Sequence, residues 1–335
     1  MAIPAKLNKT INYGARIIIA AVALWFIYRQ LTDADNLESF TSSIKYRADK
    51  KGFLFPAIIA LLLMPLNWGL EAVKWRMLIS YVERISFRDA LLSVFTGITM
   101  SLFTPNRIGE FFARLLTLKK APVMKGAFLT ITGSLSQLMT TLLFGMLSLC
   151  LFIPLYLNVH STGRYLIWIL ICFMCLITAV VMISLYFRVS AVSRAGRSFV
   201  KPGWIKIRGY LRVMRRLKRR FLLKVLLLSM ARYFVFSTQF FLLLLAFGVT
   251  VDWFNAFILI SMTYFVMTAI PTIALADLGI RGSVSVFFIG LYGSASSAVN
   301  IDILAASTAV WMINLALPAL AGLLFIYRLN LIRKK

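Results

Sequence analysis

Charged residues are scarce in this sequence, and acidic residues are the scarcest. Only 14% of its 335 residues are charged, and 11 Asp or Glu stand against 37 Lys or Arg, whereas 61% are hydrophobic. So few charges cannot cover the surface of a water-soluble domain of this size, and the composition excludes that class. Several apolar runs approach or exceed the roughly 20 residues that cross a bilayer as a helix. The sequence therefore predicts an all-α, polytopic integral membrane protein.

Cysteine and histidine are also rare. The three cysteines, Cys150, Cys172 and Cys175, lie inside apolar runs, so we interpret them as packing residues and not as a disulfide framework or a redox centre. The single histidine, His160, lies in a short loop and cannot supply a His-rich metal cluster. We therefore expect neither a metal site nor a cofactor.

The basic residues are distributed unevenly. Twelve Lys or Arg and no acid lie between Arg188 and Arg220. In a soluble protein this cluster would suggest nucleic acid, but the flanking apolar runs favour the positive-inside rule, with attraction to anionic lipid headgroups as a second effect. We therefore predict no nucleic-acid partner. We expect a bacterial-type plasma membrane protein with both termini and residues 188–220 in the cytoplasm, and with residues 29–51 outside.

The order of the apolar runs predicts the membrane organisation. Single spans are expected at residues 11–28, 53–70, 121–157, 165–187, 221–247 and 303–327. About 37 residues of straight helix would far exceed a bilayer, so we predict a break near Gly133 and Ser134 in the third of these spans.

Two further runs are interrupted by prolines, which remove a backbone donor and disfavour helix in the preceding residue. The first pair, residues 90–104 and 106–118, is either a re-entrant hairpin with its tip at Pro105 or two tightly turned full spans. The second pair, residues 253–270 and 280–292, follows the same pattern around Pro271. We interpret both prolines as structural breaks.

The chain divides into two halves of similar order within one transmembrane domain. Residues 1–157 and residues 158–335 each contain two spans, a broken pair and a final span. An odd number of crossings in each half would place the second half upside down, as in the inverted-repeat transporters, whose sites lie where discontinuous helices meet. The alternative is that the two proline breaks are unrelated kinks.

Ionisable residues lie beside both breaks, where hydrocarbon should surround the chain. They are Arg107, Glu110, Arg114, Asp277 and Arg281, accompanied by Gly109 and Gly279, which we interpret as further structural breaks. Charged residues at membrane depth are costly and indicate a functional site by default. We therefore predict that these five residues bind the substrate.

The helices after the breaks would present their N-termini, which suit a phosphate. The first helix would begin at Asn106 and the second after Asp277, with Arg107 and Arg281 adding a guanidinium beside each end. An alternative for Asp277 is a helix N-cap.

Other polar residues in the apolar runs are open to two interpretations. Glu110 and Arg114 lie four residues apart on one helix face, so they could be a structural salt bridge. Three polar residues of the later spans either line the same cavity or bond helix to helix: Arg232, Gln239 and Asn314. The residues Glu71, Lys74 and Arg76 fit a cluster at the membrane interface.

Two segments carry a family resemblance. Residues Pro105 to Arg114, PNRIGEFFAR, resemble the signature of the lysylphosphatidylglycerol synthase transmembrane, or flippase-like, family. Residues Pro271 to Gly282 resemble its second motif, a proline followed by G-x-G-x-R-E, with Asp277 replacing the first glycine and Gly282 the glutamate. In two-part members the membrane region flips aminoacylated phosphatidylglycerol and a soluble domain makes it. Because this sequence ends at Lys335, we expect no synthase domain.

These observations favour a flippase or transporter, and not an enzyme, for an anionic phospholipid or a lipid-linked phosphate carrier. Its partners would be anionic lipid headgroups in the membrane. One alternative is a membrane glycosyltransferase acting on lipid phosphate, although the longest predicted cytoplasmic loop is basic and acid-free and does not suit a nucleotide sugar with its metal. A second alternative is a non-transporting scaffold, in which the paired charges are purely structural.

Overall fold

The structure of the protein is a computed structural model. It describes residues 52–102, 104, 108–118, 123–157, 161–188, 217–270, 274–292 and 297–325, together with residues 21, 25, 41 and 44–47. The regular structure in these residues is helical, which confirms the predicted fold class.

Besides the helical residues 21, 25, 41 and 44–47, the described residues form ten α-helices and one π-helical turn. They are α1 (Leu54–Ile79), α2 (Phe87–Ser101), α3 (Ile108–Leu116), α4 (Val123–Tyr156), α5 (Thr162–Phe187), α6 (Arg219–Ala246), α7 (Trp253–Ala269), α8 (Ala274–Gly290), α9 (Ser297–Trp311), the π-helical turn (Met312–Ala316) and α10 (Leu317–Leu323).

Five segments are long and apolar enough to cross a membrane. They are α1, α4 from Lys125 onwards, α5, α6 and the continuous segment Ser297–Leu323, which joins α9, the π-helical turn and α10. Both termini, the basic residues 189–216 and, apart from residues 21 and 25, the span predicted at residues 11–28 lie outside the described residues, so their sidedness stays a prediction. The protein is a multi-pass helical membrane protein.

The two proline-broken pairs consist of shorter helices. Helices α2 and α3 pack against each other, and so do α7 and α8. At 1.5 Å per residue, the 15 residues of α2 rise about 22 Å and the nine of α3 about 14 Å, less than the roughly 30 Å hydrocarbon core. Pro105 and Pro271 lie outside the described residues, and a re-entrant course stays a prediction.

The predicted break in the third single span is wrong. Helix α4 continues through Gly133 and Ser134 for 34 residues. A Cβ atom on Gly133 would lie 2.7 Å from Cδ1 of Leu78 in α1. The glycine therefore permits close approach of α1 and α4 instead of ending the helix.

Helix α8 also differs from the prediction, because it begins at Ala274 and not after Asp277. The residues Ala274 to Ala276 are good helix formers and contain no proline, so the helix can start before the acid. Asp277 thus lies in the first turn. Arg281 lies one turn later and is not at the helix end.

Helices α1 and α6 form the centre of the bundle and share its largest helix interface among the described residues. Around them, α4 packs on α7, and α10 packs on α2. In the same way α1 contacts α4, and α6 contacts α9. These two contacts of one half thus have counterparts in the other, as the inverted-repeat hypothesis requires, although the repeat itself stays a prediction.

A hydrogen-bonded network fixes the start of α7. The side chain of Asp252 accepts bonds from Asn255 through its Nδ2 at 2.7 Å and its backbone N–H at 3.1 Å, and from the Tyr292 hydroxyl at 2.7 Å. The Tyr156 hydroxyl donates to Oδ1 of Asn255 at 2.7 Å. These donors, with Asn255 first, lower the pKa of Asp252 to about 2. The network ties the ends of α4 and α8 to this loop.

Candidate functional site

A buried carboxylate, Glu71 of α1, holds three cations together in the centre of the bundle. Its oxygens lie 2.7 Å from Nζ of Lys74, 2.8 Å from Nη1 of Arg114 and 2.9 Å from Nη1 of Arg232. The side chains of Glu71 and Arg114 are only 7% and 5% exposed. With Glu110, these four residues form what is hereafter termed the ion cluster. A charge taken out of water needs such partners, because desolvation alone costs several kcal/mol per ion.

The pairing of Glu110 with Arg114 that the spacing predicted is present. Nη2 of Arg114 donates to Oε1 of Glu110 within α3, while Nη1 of the same guanidinium donates to Glu71 in α1. The guanidinium carbon also lies 5.9 Å from the centre of the Trp75 ring. Arg114 therefore joins the short helix α3 to the central helix α1.

Arg232 of α6 extends the ion cluster towards the last span. Its Nε donates to Oδ1 of Asn67 at 2.9 Å, and Nδ2 of Asn67 donates to Oδ1 of Asn314 in the π-helical turn at 2.7 Å. The guanidinium lies over the ring of Trp68, 4.7 Å from its centre. One arginine thus connects three membrane helices, which places it rigidly at the edge of the cavity described next.

A cavity of about 350 Å³ adjoins the ion cluster and is lined by side chains of both halves. Its lining includes Arg232 and Asn314, and it reaches Asp277 and Arg281 of α8. The wall also includes aromatic and polar side chains of α1, α4, α7 and α9, among them Trp68, Gln137, Thr141, Tyr264 and Trp311. The volume lies in the range of small-ligand sites.

The second charged pair lies in the cavity wall. Nη2 of Arg281 donates to Oδ2 of Asp277 at 3.0 Å, and both side chains are 16% exposed. The spacing of four residues and the acid-first order are the same as in Glu110 and Arg114. Among the described residues, Arg281 forms a side-chain ion pair only with Asp277.

Five buried polar atoms without a hydrogen-bond partner among the described residues belong to side chains that line the cavity. They are Nε1 of Trp68, Oε1 of Gln137, the hydroxyl of Tyr264, Nε of Arg281 and Nε1 of Trp311. Four of these five groups are donors. A buried donor without a partner costs roughly 1–3 kcal/mol, so this wall favours a ligand rich in acceptor oxygens.

Residues 14–322 match the family described as the lysylphosphatidylglycerol synthase TM region. The chain belongs to that family. No curated protein and no solved structure matched the chain significantly. Both the ion cluster and the cavity lie within the matched residues, so this member of the lysylphosphatidylglycerol synthase TM region family carries its buried charges in the family's own domain.

The residues predicted at the two breaks are brought together only in part. Arg107 lies outside the described residues, and so do both prolines. The Asp277–Arg281 pair lines the cavity, whereas Glu110 and Arg114 belong to the ion cluster beside it. The predicted single site is therefore divided between a cluster and a cavity that share Arg232.

Of the remaining polar candidates, two line the cavity and one does not. Arg232 and Asn314 are in its wall and also bond helix to helix. Gln239 instead donates from Nε2 to the backbone oxygen of Ala60 at 2.9 Å, which is a helix-to-helix bond.

The interpretation of Glu71 and Lys74 as interfacial residues is wrong, because both are buried in the ion cluster. Only Arg76 is exposed, where its Nε donates to the backbone oxygen of Ile85. A signal was available in the spacing. Asn67, Glu71 and Lys74 follow at i, i+4 and i+7 and therefore share one helix face, whereas Arg76 does not.

Proposed function

We propose that the protein moves an anionic phospholipid or a lipid-linked phosphate carrier between membrane leaflets, as a flippase-like transporter. The observation that carries the proposal is the cavity in the bundle, where two arginines and four buried donors without described partners share one wall. A phosphate offers several acceptor oxygens and a negative charge, which is the complement of that wall. The proposal assigns no chemical reaction to the protein.

The two arginines are suited to different parts of this task. Arg232 is held in place by Glu71, Asn67 and the ring of Trp68, so it presents a fixed cation to the cavity. Arg281 has one carboxylate partner and an Nε without a partner among the described residues, so it retains donor capacity for a ligand. A guanidinium binds phosphate through paired hydrogen bonds, which a lysine cannot reproduce.

The lipid-exposed helices suit a substrate with acyl chains. A headgroup in the cavity would replace its hydration by arginine and indole donors, while its chains stay in the hydrocarbon beside the bundle. We further propose the inverted-repeat arrangement as the basis of movement, because two packing contacts of one half have counterparts in the other. In this proposal the protein lies in a bacterial-type plasma membrane with both termini in the cytoplasm.

Translocation of labelled lipids in proteoliposomes tests the proposal. The purified chain is reconstituted with fluorescent phosphatidylglycerol or fluorescent phosphatidylcholine in trace amounts, and the accessible fraction is followed by chemical quenching from outside. We expect the parent chain to move phosphatidylglycerol faster than empty liposomes do. Arg281→Gln should slow it by roughly tenfold or more, since a charge-assisted hydrogen bond is worth about 1.5–3 kcal/mol.

Arg84→Gln is the matched control, because it makes the same substitution at an exposed arginine away from the cavity. It should transport at the parent rate. A parent chain that moves neither lipid nor a polyprenyl phosphate above background would contradict the function. Transport by Arg281→Gln at the parent rate would contradict the cavity as the route.

A further inference from the structure

A second pocket, separate from the cavity, lies where the last turn of α5 meets the first turn of α6. Its volume is about 470 Å³. Three arginines line it, Arg188, Arg219 and Arg220, together with the side chains of Ile183, Ser184, Phe187 and Leu223. These seven residues are termed the basic pocket. It combines a cationic rim with an apolar wall.

The floor of the basic pocket is fixed by packing between the two helices. The hydroxyl of Tyr186 donates to the backbone oxygen of Leu222 at 3.0 Å, and both residues are buried. The ring of Phe221 packs on that of Tyr81, 4.9 Å between centres. The backbones that carry the arginines are therefore held in a defined position.

The arginines have no acidic partner in the part of the chain that the structure describes. Every ion pair found there involves other residues. Residues 111–251 contain no Asp or Glu, so the two helices that carry these arginines bring no acid of their own. Three neighbouring guanidiniums repel one another, so an anion between them would lower the free energy.

The position of the basic pocket determines which anion is available. The 26 residues of α5 rise about 39 Å, more than the hydrocarbon core of roughly 30 Å, so its end reaches the headgroup region. No residue in the most apolar stretch of α5 is buried inside the protein. Acyl chains can therefore lie along α5 directly below the arginines.

We propose that the basic pocket binds an anionic phospholipid of the surrounding leaflet, with the phosphate on the three arginines and the acyl chains against Ile183, Phe187 and Leu223. Basic pockets between membrane helices suit such headgroups. A zwitterionic lipid would place its ammonium group among like charges and should bind more weakly. This lipid is not the transported one, because the basic pocket shares no lining residue with the cavity.

Lipid titration of the purified chain in a mild non-ionic detergent tests the site. Binding of phosphatidylglycerol and of cardiolipin is measured by native mass spectrometry and by the shift in Tm. Each basic residue near an anionic lipid raises the binding constant roughly fivefold. The triple variant Arg188→Gln, Arg219→Gln and Arg220→Gln should therefore weaken binding about 100-fold. The corresponding triple Arg→Lys variant keeps the charge and should lose much less.

The control removes the same charge elsewhere, with Arg84→Gln, Lys218→Gln and Lys224→Gln, all exposed residues that do not line the basic pocket. It should bind as the parent does. Equal loss in the control would overturn the site in favour of general electrostatic attraction. Equal binding of phosphatidylcholine would overturn the anionic preference, and an equal Tm shift with inorganic phosphate would overturn the lipid as ligand. Arg281→Gln should leave this binding unchanged, which separates the basic pocket from the transport cavity.

Discussion

The two arginine–acid pairs that follow the proline breaks have the same spacing and different surroundings. Arg114 pairs with two carboxylates, Glu110 and Glu71, and its side chain is 5% exposed. Arg281 pairs with one, Asp277, is 16% exposed and lines the cavity. Both arginines have an Nε without a partner among the described residues, but only Arg281 belongs to the cavity wall. The first pair is part of a structural connection between helices, whereas the second lies where a ligand in the cavity can reach it. Acid–arginine pairs of the same spacing in the two halves therefore need not share a role.

The difference arises from the neighbouring helix and not from the motif. Helix α1 supplies Glu71 as a second acid for Arg114, and Glu71 is itself neutralised by Lys74 and Arg232. Among the described residues, no helix supplies a second acid to Arg281. We therefore expect substitutions in the ion cluster to affect stability more than lipid movement, and substitutions in the cavity to affect lipid movement more than stability.

The largest effect is expected at Glu71, the shared acid of the ion cluster. Glu71→Gln leaves Lys74, Arg114 and Arg232 close together without their common counter-charge. Removing one partner of a buried ion pair costs roughly 3–5 kcal/mol, so we expect a large loss of thermal stability and of folded yield. Unfolding in detergent, followed by size-exclusion after heating, measures it.

Glu83→Gln serves as the control, because Glu83 lies at intermediate exposure in the loop after α1. Its effect should be smaller than that of Glu71→Gln, because an ion pair of a partly exposed acid is worth only about 1 kcal/mol or less. If Glu71→Gln were as stable as the control, the ion cluster would not stabilise the bundle. The proposed difference between a structural ion cluster and a ligand-binding cavity would then be wrong.

The next largest effect is a difference in stability cost between the two residues of the Glu110–Arg114 pair. Arg114→Met removes the link from α3 to α1 and leaves Glu110 with one partner fewer, so it should cost roughly 3 kcal/mol. Glu110→Gln leaves Arg114 bonded to Glu71 and should cost only about 1.5 kcal/mol. Unfolding temperatures of both variants and of the double variant decide. Equal costs would mean that the pair acts alone and that the contact with Glu71 contributes nothing.

The glycines of the two breaks should differ in the same way. A Cβ atom on Gly109 would lie 2.3 Å from the backbone oxygen of Met100 and 2.8 Å from Oγ1 of Thr104, so Gly109→Ala should cost about 1–3 kcal/mol. At Gly279 a Cβ atom meets nothing within 4 Å. Gly279→Ala in the interior of α8 should stabilise by up to about 1 kcal/mol. The same sign of change in Tm for both would contradict the close packing assigned to α3 alone.

The sequence predicted the helical membrane fold and most spans, because apolar runs of fixed length carry that signal locally. It also predicted the Glu110–Arg114 pair, since spacing on one helix determines it. It failed at Gly133, where only the neighbouring residue Leu78 explains why a glycine is present. A local sequence pattern does not show which helices pack against each other.

The candidate site shows the same limit. Asp277 and Arg281 were found because charges in apolar sequence are conspicuous. The role of Glu71 was missed because it lies near the predicted end of a span, where charges are ordinary. Only tertiary packing brings it to Arg114 and Arg232, which are 43 and 161 residues away along the chain. Long-range pairing of this kind has no signature in a single sequence.

The smallest expected effect compares two tyrosines of the cavity wall. The hydroxyl of Tyr233 donates to Oγ of Ser261 at 2.8 Å, whereas that of Tyr264 has no partner among the described residues. Tyr233→Phe should therefore lower the free energy of unfolding by about 1 kcal/mol and leave lipid binding near the parent value. Tyr264→Phe should leave stability unchanged within about 0.5 kcal/mol but weaken binding of phosphatidylglycerol roughly fivefold to tenfold, because it removes a donor that only a ligand can satisfy. Thermal unfolding and lipid titration of both variants provide the two readouts. A loss of stability in Tyr264→Phe equal to that in Tyr233→Phe would mean that the Tyr264 hydroxyl already has a partner within the protein. The proposed difference between a hydroxyl that is bonded inside the protein and one that is available to a ligand would then be wrong.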